Sequence, residues 1–439
     1  MMEDYIIQLL KEKVIPAVGC TEPIAVALAA TKAKELLDIL PEKIEIKLSK
    51  NVLKNGMNVG IPGTDQTGLT IAVGLGILFG KSEDTLELLK NVSDEMVEQA
   101  NNYIKNTPIT FSIADTDEKL YIEAICIHSS SHAKAVIAHT HTNFILLEKN
   151  NTIIYSSDNN HRNNCVNYSN NNINKDICDD LTLKKIYDFI TICDIDNIKF
   201  LVESAVVNKR AAEIGIAKEY GLCVGQTIKN NIKENIYKDS ILSYALLLTT
   251  AAIDARMGGA NITIYSNSGS GDQGITVTLP VVAFYEKYYN KNIYELESSD
   301  YLFIRALALS HAVAIYIKQK LGVLSPFCGI TTASIGAACG ITYLMNGKYE
   351  HICNAIKNCA ANIIGMICDG AKNGCAVKAA SGVFNAFTAA TLAINHHCHN
   401  NQGGIVNNCV ETTIENLTDI GKKGMMNMDD IILDMLLQK

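Results

Sequence analysis

The chain has no tryptophan, and aromatic residues make up only 6% of its 439 positions. A platform of rings for stacking nucleobases is therefore not expected. Basic charge is also short: 38 Lys and Arg stand against 46 Asp and Glu, a net of −8. That balance argues against nucleic acid or an anionic membrane surface as the main partner. Long hydrophobic runs are missing. The apolar stretch at 71–79 is too short and too rich in glycine to span a bilayer. The opening Met-Met-Glu-Asp-Tyr-Ile-Ile-Gln lacks the basic and apolar segments of a secretion signal. Together these absences predict a cytoplasmic protein with no membrane partner.

What is present points to a globular chain. Apolar residues reach 48% and charged ones 19%, enough for a large core in two or three domains. Fourteen cysteines in a reducing compartment indicate free thiols or metal ligands more than disulfides.

Periodicity organises the chain. Ile6, Ile7, Leu9, Leu10 and Val14 predict a helix over 4–14. A second helix is expected over 21–37, with Thr21 as its N-cap. Residues 43–53 alternate as a strand, and 60–80 suit a tight loop and helix. Residues 109–113, 120–128 and 133–148 read as successive strands. The Asn- and Asp-rich stretch 149–180 reads as a surface insertion or linker. Beyond it helices are expected at 240–259, 301–320, 329–346, 350–367, 375–395 and 426–438. The fold class is α+β: a mixed α/β domain over 1–200 and a mainly helical domain over 201–439. No internal repeat is visible.

The most informative residues are Cys328, Cys368 and Cys375. Cys328 lies in Ser-Pro-Phe-Cys-Gly-Ile, and the other two bracket a glycine-punctuated segment. Cys328 and Cys375 each precede or open a helical run, where free N–H groups and partial positive charge favour thiolates. Gly370 and Gly374 let the chain turn back after Cys368. Three thiolates are one fewer than a four-iron cluster takes, which would leave one iron open to substrate. Spacing alone equally suits buried structural thiols, and Cys339, Cys353 and Cys359 are spaced much like ligands. A fourth thiol, Cys20, stands at the start of the second helix. That position lowers a thiol pKa and suits a base or nucleophile, or simply packs.

Five segments carry a family resemblance: Pro16-Ala-Val-Gly-Cys-Thr-Glu-Pro-Ile-Ala, Gly60-Ile-Pro-Gly-Thr, Gly274-Ile-Thr-Val-Thr-Leu-Pro280, Ser334-Ile-Gly-Ala-Ala-Cys-Gly340 and Met366-Ile-Cys-Asp-Gly-Ala-Lys-Asn-Gly-Cys375. Together they resemble the archaeal and bacterial L-cysteine desulfidase family, which is related to the iron–sulfur L-serine dehydratases. The resemblance spans almost the whole chain. It implies a lyase that uses no PLP and carries an oxygen-labile [4Fe–4S] cluster with three cysteine ligands and one open iron. The family's ligands match Cys328, Cys368 and Cys375, and its proposed catalytic base matches Cys20. The implied reaction is β-elimination of L-cysteine to pyruvate, ammonia and hydrogen sulfide. L-serine dehydration and a non-catalytic redox sensor remain as alternatives.

Other residues fit this reading less specifically. Lys372, between two cluster cysteines, and Asn51, Asn55 and Asn58, after a strand, are candidates to meet the substrate carboxylate, or are solvated surface groups. The loop Ser266-Asn-Ser-Gly-Ser-Gly271 offers backbone N–H groups to an anion, but no lysine beside it suggests a PLP aldimine. His139 and His141 alternate on a strand-like run and are expected to face one side. His396-His-Cys-His399 reads as a solvated helix end. Small residues at 329–345 and 375–393 allow close helix packing within or between subunits.

Overall fold

The computed structural model describes residues 2–157, 180–297, 299–322, 324–399 and 404–438. Most of the Asn-rich stretch, 158–179, lies outside the described residues.

Among the described residues eight strands are present: β1 (Pro16–Val18), β2 (Lys43–Leu48), β3 (Ile109–Ile113), β4 (Tyr121–His128), β5 (Ser131–Ala138), β6 (Phe144–Lys149), β7 (Thr152–Ser156) and β8 (Thr263–Tyr265). Six form one sheet in the order β3-β2-β4-β5-β6-β7. Within it the β2–β3 pair is parallel and the others are antiparallel. Ile44, Ile46 and Leu48 bury one face of β2. Helices Thr21–Leu37 and Leu69–Phe79 share that core through Ile24, Leu28, Val73 and Leu75.

The second region is built of helices: Ile241–Met257, Gly271–Tyr289, Tyr301–Leu321, Gly329–Leu344, Tyr349–Ala360 and Cys375–Ile394. Their apolar faces form a larger core, which also takes in the helices Met2–Lys13 and Leu183–Ile192. The α+β class is therefore correct, with the sheet in the first half of the chain and helices in the second. Among the described residues two helices are long and apolar enough to cross a membrane. The apolar window of Tyr301–Leu321 is 83% buried and that of Cys375–Ile394 50% buried, so the first is a core helix.

Four boundaries differ from the sequence expectations. The stretch read as an insertion from 149 onward begins with an edge strand, β7, paired antiparallel to β6. The strand expected through 53 stops at Leu48. There Ser49 Oγ donates to Lys119 O and accepts from Tyr121 N, and Lys50–Gly56 turns into a short helix. Cys20, not Thr21, is the N-cap of the second helix, in extended conformation. The helix expected over 350–367 ends at Ala360, and Ile367 pairs instead with Phe327.

Two joints between distant segments position the site. The β1–β8 pair holds Ala17 opposite Ile264, bringing the residues before Cys20 beside those before the Ser266–Gly271 loop. Ser266 extends the joint by donating its N–H and hydroxyl to Ile15 O. The Phe327–Ile367 bridge is the second joint. Cys328 N donates to Met366 O at 3.0 Å and Cys368 N to Pro326 O at 2.7 Å.

Candidate functional site

These joints converge on one cavity of about 100 Å³. That is well below the roughly 300–1,000 Å³ of sites that enclose drug-sized ligands. Its walls include Cys20, Cys328, Cys368 and Cys375 together, although more than 300 residues separate the first from the other three.

The cluster-side geometry follows from local structure. Cys328 is the N-cap of Gly329–Leu344, and Cys375 is the first residue of Cys375–Ile394. Cys368 sits beside Cys328 through the bridge. Gly370 then turns the chain at φ +95°, and a Cβ there would stand 2.6 Å from Lys54 O, so only glycine fits. Lys54 Nζ donates to Cys368 O at 3.1 Å and to Asp429 at 2.6 Å, pinning the turn to the C-terminal helix Met428–Leu437. Burial, with the neighbouring Cys368, pushes the Cys328 thiol up to about 12. Burial, with Asp272, raises Cys375 as well. Both would be ionised only on meeting a metal.

The cysteines of the described residues are unpaired. Among those residues no three His, Cys, Asp or Glu side chains close on one point as a single metal ion would require. The three cysteines border a shared space instead. That arrangement suits a multi-iron cluster, in which each thiolate reaches a different iron.

Opposite them stands a compact acid–thiol group. Cys20 Sγ donates to Glu22 Oε2 at 3.0 Å. Thr21 Oγ1 lies 3.1 Å from the same oxygen, and Asn55 Nδ2 donates to Oε1 at 2.9 Å. His141 Nε2 approaches Oε1 at 3.9 Å, too long for a hydrogen bond, and is a buried atom without a hydrogen-bond partner. Burial alone would raise the Glu22 carboxyl, but His141 and the donors from Cys20 and Asn55 outweigh it and hold Glu22 ionised. Cys20 behaves oppositely. Burial and then the Glu22 charge raise its thiol well above the ordinary value, against the pull of Arg256. The helix-start position alone suggested a lowered thiol; desolvation and the adjacent carboxylate reverse it.

Arg256 ties this side together, with Nε donating to Gly19 O at 3.1 Å and Nη1 to Asp272 at 2.8 Å. Gly269, at φ +80°, leaves room for the His141 ring; a Cβ there would lie 3.3 Å from Cε1 and Nδ1.

Of the residues picked out for the substrate carboxylate, only Asn55 lines the cavity. Asn51 donates to Asp429 at 2.6 Å. Asn58 is exposed beyond the short helix Lys50–Gly56. Lys372 pairs with Asp369 at 3.0 Å, so its charge is already matched. The loop Ser268–Gly269–Ser270 does line the cavity. His139 and His141 do not face one side. The strand ends at Ala138, and His139 takes φ +70°, which leaves it exposed near Glu118 while His141 is buried. His396 to His399 follow the end of the last long helix, with the His396 ring against His351.

Sequence reasoning did not single out Glu22, Lys318 or the Arg256–Asp272 pair. Glu22 was visible only as a first-turn helix acid, and Lys318 as one more basic residue near a helix end.

The chain matches the family model for the serine dehydratase alpha chain over residues 83–434. It is 45% identical over 435 residues to a UPF0597 protein of Bacteroides thetaiotaomicron, covering 99% of this chain and 97% of that one. A UPF0597 protein of Phocaeicola vulgatus is 45% identical over 439 residues, covering 99% and 98%. A UPF0597 protein of Oleidesulfovibrio alaskensis is 40% identical over 433 residues, covering 99% and 97%.

Proposed function

Because the chain belongs to the serine dehydratase alpha chain family, we propose that it catalyses iron–sulfur-dependent, PLP-independent β-elimination of L-cysteine to pyruvate, ammonia and hydrogen sulfide. The observation that carries this reading is the single cavity shared by Cys20, Cys328, Cys368 and Cys375. Cys328, Cys368 and Cys375 would hold a [4Fe–4S] cluster. When bound, the cluster supplies a Lewis-acidic iron with a free position, suited to a soft leaving sulfur.

The remaining chemistry falls to the chain. Elimination takes a proton from Cα and expels HS⁻ from Cβ, leaving aminoacrylate. Its imine form takes up water and yields pyruvate and ammonia. Cys20 carries the Cα proton. At rest it is a thiol donating to Glu22 Oε2, so its own proton first passes to that carboxylate. The substrate ammonium, entering beside Glu22, brings the positive charge that favours the thiolate, which then takes the Cα proton. Burial of Cys20, Glu22 and His141 keeps water from competing for that proton.

L-serine is the second reading, supported by the name of the matching family. One experiment tests both. The protein is reconstituted anaerobically, its iron and sulfide are measured, and pyruvate is assayed from each amino acid. L-cysteine turnover well above L-serine turnover is expected, and the reverse order selects the second reading. A protein that takes up no iron with Cys328 intact would sink both, and a loaded protein without turnover would point to a redox sensor.

A further inference from the structure

Most cations around the cavity are already matched. Arg256 is held by Asp272 and Gly19 O. Lys54 is spent on Asp429 and Cys368 O. Lys372 and Lys378 share Asp369. Lys318 differs. It stands in the last turn of helix Tyr301–Leu321, is only 8% exposed, and lines the cavity. Among the described residues no carboxylate lies within ion-pair distance of its amine. The charged and titratable groups that influence it are the thiols of Cys368 and Cys328, then Lys119 and Glu22.

Burial of the side chain works against the charge on its amine, and a lysine so placed at a cavity wall carries its charge when an anionic ligand completes it. The ligand must be small, because it shares a cavity of about 100 Å³ with the cluster that the three cysteines would hold. It must also tolerate the carboxylates of Glu22 and Asp272 in the same walls, which disfavours phosphates and dicarboxylates. A zwitterionic α-amino acid meets both conditions.

We propose that Lys318 binds the substrate carboxylate and so sets the site's preference for small α-amino acids over the corresponding amines and amides. This assignment rests on the elimination reading above. Its test is kept separate by using L-alanine, which has both charged groups and no leaving group, and L-alaninamide, which lacks the carboxylate.

Binding of each is measured by calorimetry to anaerobically reconstituted wild type, Lys318→Met and Lys318→Gln. Loss of one charge-assisted contact is expected to weaken L-alanine binding by about 10- to 100-fold and leave L-alaninamide unchanged. KM for L-cysteine rises by a similar factor with kcat little changed, and iron and sulfide contents stay at the wild-type level. L-alanine binding that survives in the variants overturns the proposal. So does lost iron with an unchanged KM, which would make Lys318 a counter-charge for the thiolates. If neither variant folds, the wild type decides: it must prefer L-alanine to L-alaninamide by at least about 10-fold, and parity overturns the assignment. If the wild type turns over no amino acid, the elimination reading fails while the L-alanine comparison still judges Lys318.

Discussion

The start and the interior of helix Gly329–Leu344 each carry a cysteine, and the two have little else in common. Cys328, at the N-cap, borders the cavity with Cys368 and Cys375. Cys339, eleven residues on, is fully buried, and its thiol is raised first by burial and then by Cys359 and Cys353. Cys359 in turn donates weakly to Ser334 O. The same side chain is thus a ligand candidate where backbone N–H groups are free, and a packing group where the helix has consumed them.

The sharpest way to break this comparison is to exchange the outcomes. Cys328→Ala or Cys368→Ala is expected to lower pyruvate formation by more than about 100-fold, with loss of bound iron. Cys339→Ala should retain both. Iron retained in the first pair, or lost in the last, would erase the distinction.

Cys20 extends the comparison across the cavity. Cys20→Ala is expected to cut kcat by about 10²- to 10⁴-fold with iron and sulfide intact. A variant that also loses iron would make Cys20 a fourth ligand rather than a proton carrier.

Glu22→Gln tests the electrostatics of that thiol. Burial raises Cys20 most and the Glu22 charge adds to it, so removing that charge lowers the thiol pKa and enlarges the thiolate fraction at fixed pH. Alkylation of Cys20 by iodoacetamide should then speed up, by up to about tenfold in a pH range where the thiol still predominates. Slower alkylation would reverse the sign.

The smallest effects belong to the interior. Cys339→Ala or Cys359→Ala should cost about 1–2 kcal/mol in denaturant unfolding and leave turnover unchanged. His311 adds a pH dependence. Burial depresses its folded value from 6.5 to about 3, so the unfolded chain takes up its proton first as pH falls. Its contribution is therefore full above 6.5 and shrinks as pH drops from there toward about 3. The His311→Asn protein should show a flatter unfolding midpoint over that range.

Much of the architecture was legible because it is local. Alternation in 43–48 and helical periodicity in 301–321 each report a nearby core. Boundaries failed where a side chain or a distant strand intervened. Ser49 captured the chain after β2, and Phe327 drew Ile367 out of its expected helix. The site divided similarly. Cys20, Cys328, Cys368 and Cys375 were visible from helix starts and motifs. Lys372 lies between two of the cysteines in sequence, yet it pairs with Asp369 and does not line the cavity, which sequence proximity could not tell. His141 looked equivalent to His139 until a single residue at positive φ separated them.

By itself, the sequence determined which thiols stand at helix starts, since capping position and glycine turns are set within a few residues. Only the tertiary structure decided that four cysteines share one cavity, that burial and then Glu22 raise Cys20 rather than leaving it a thiolate, and that Lys318 lines the cavity with no carboxylate of the described residues at ion-pair distance. The shared cavity joins residues hundreds of positions apart, and the desolvation that raises Cys20 depends on the packed whole, which no local pattern encodes.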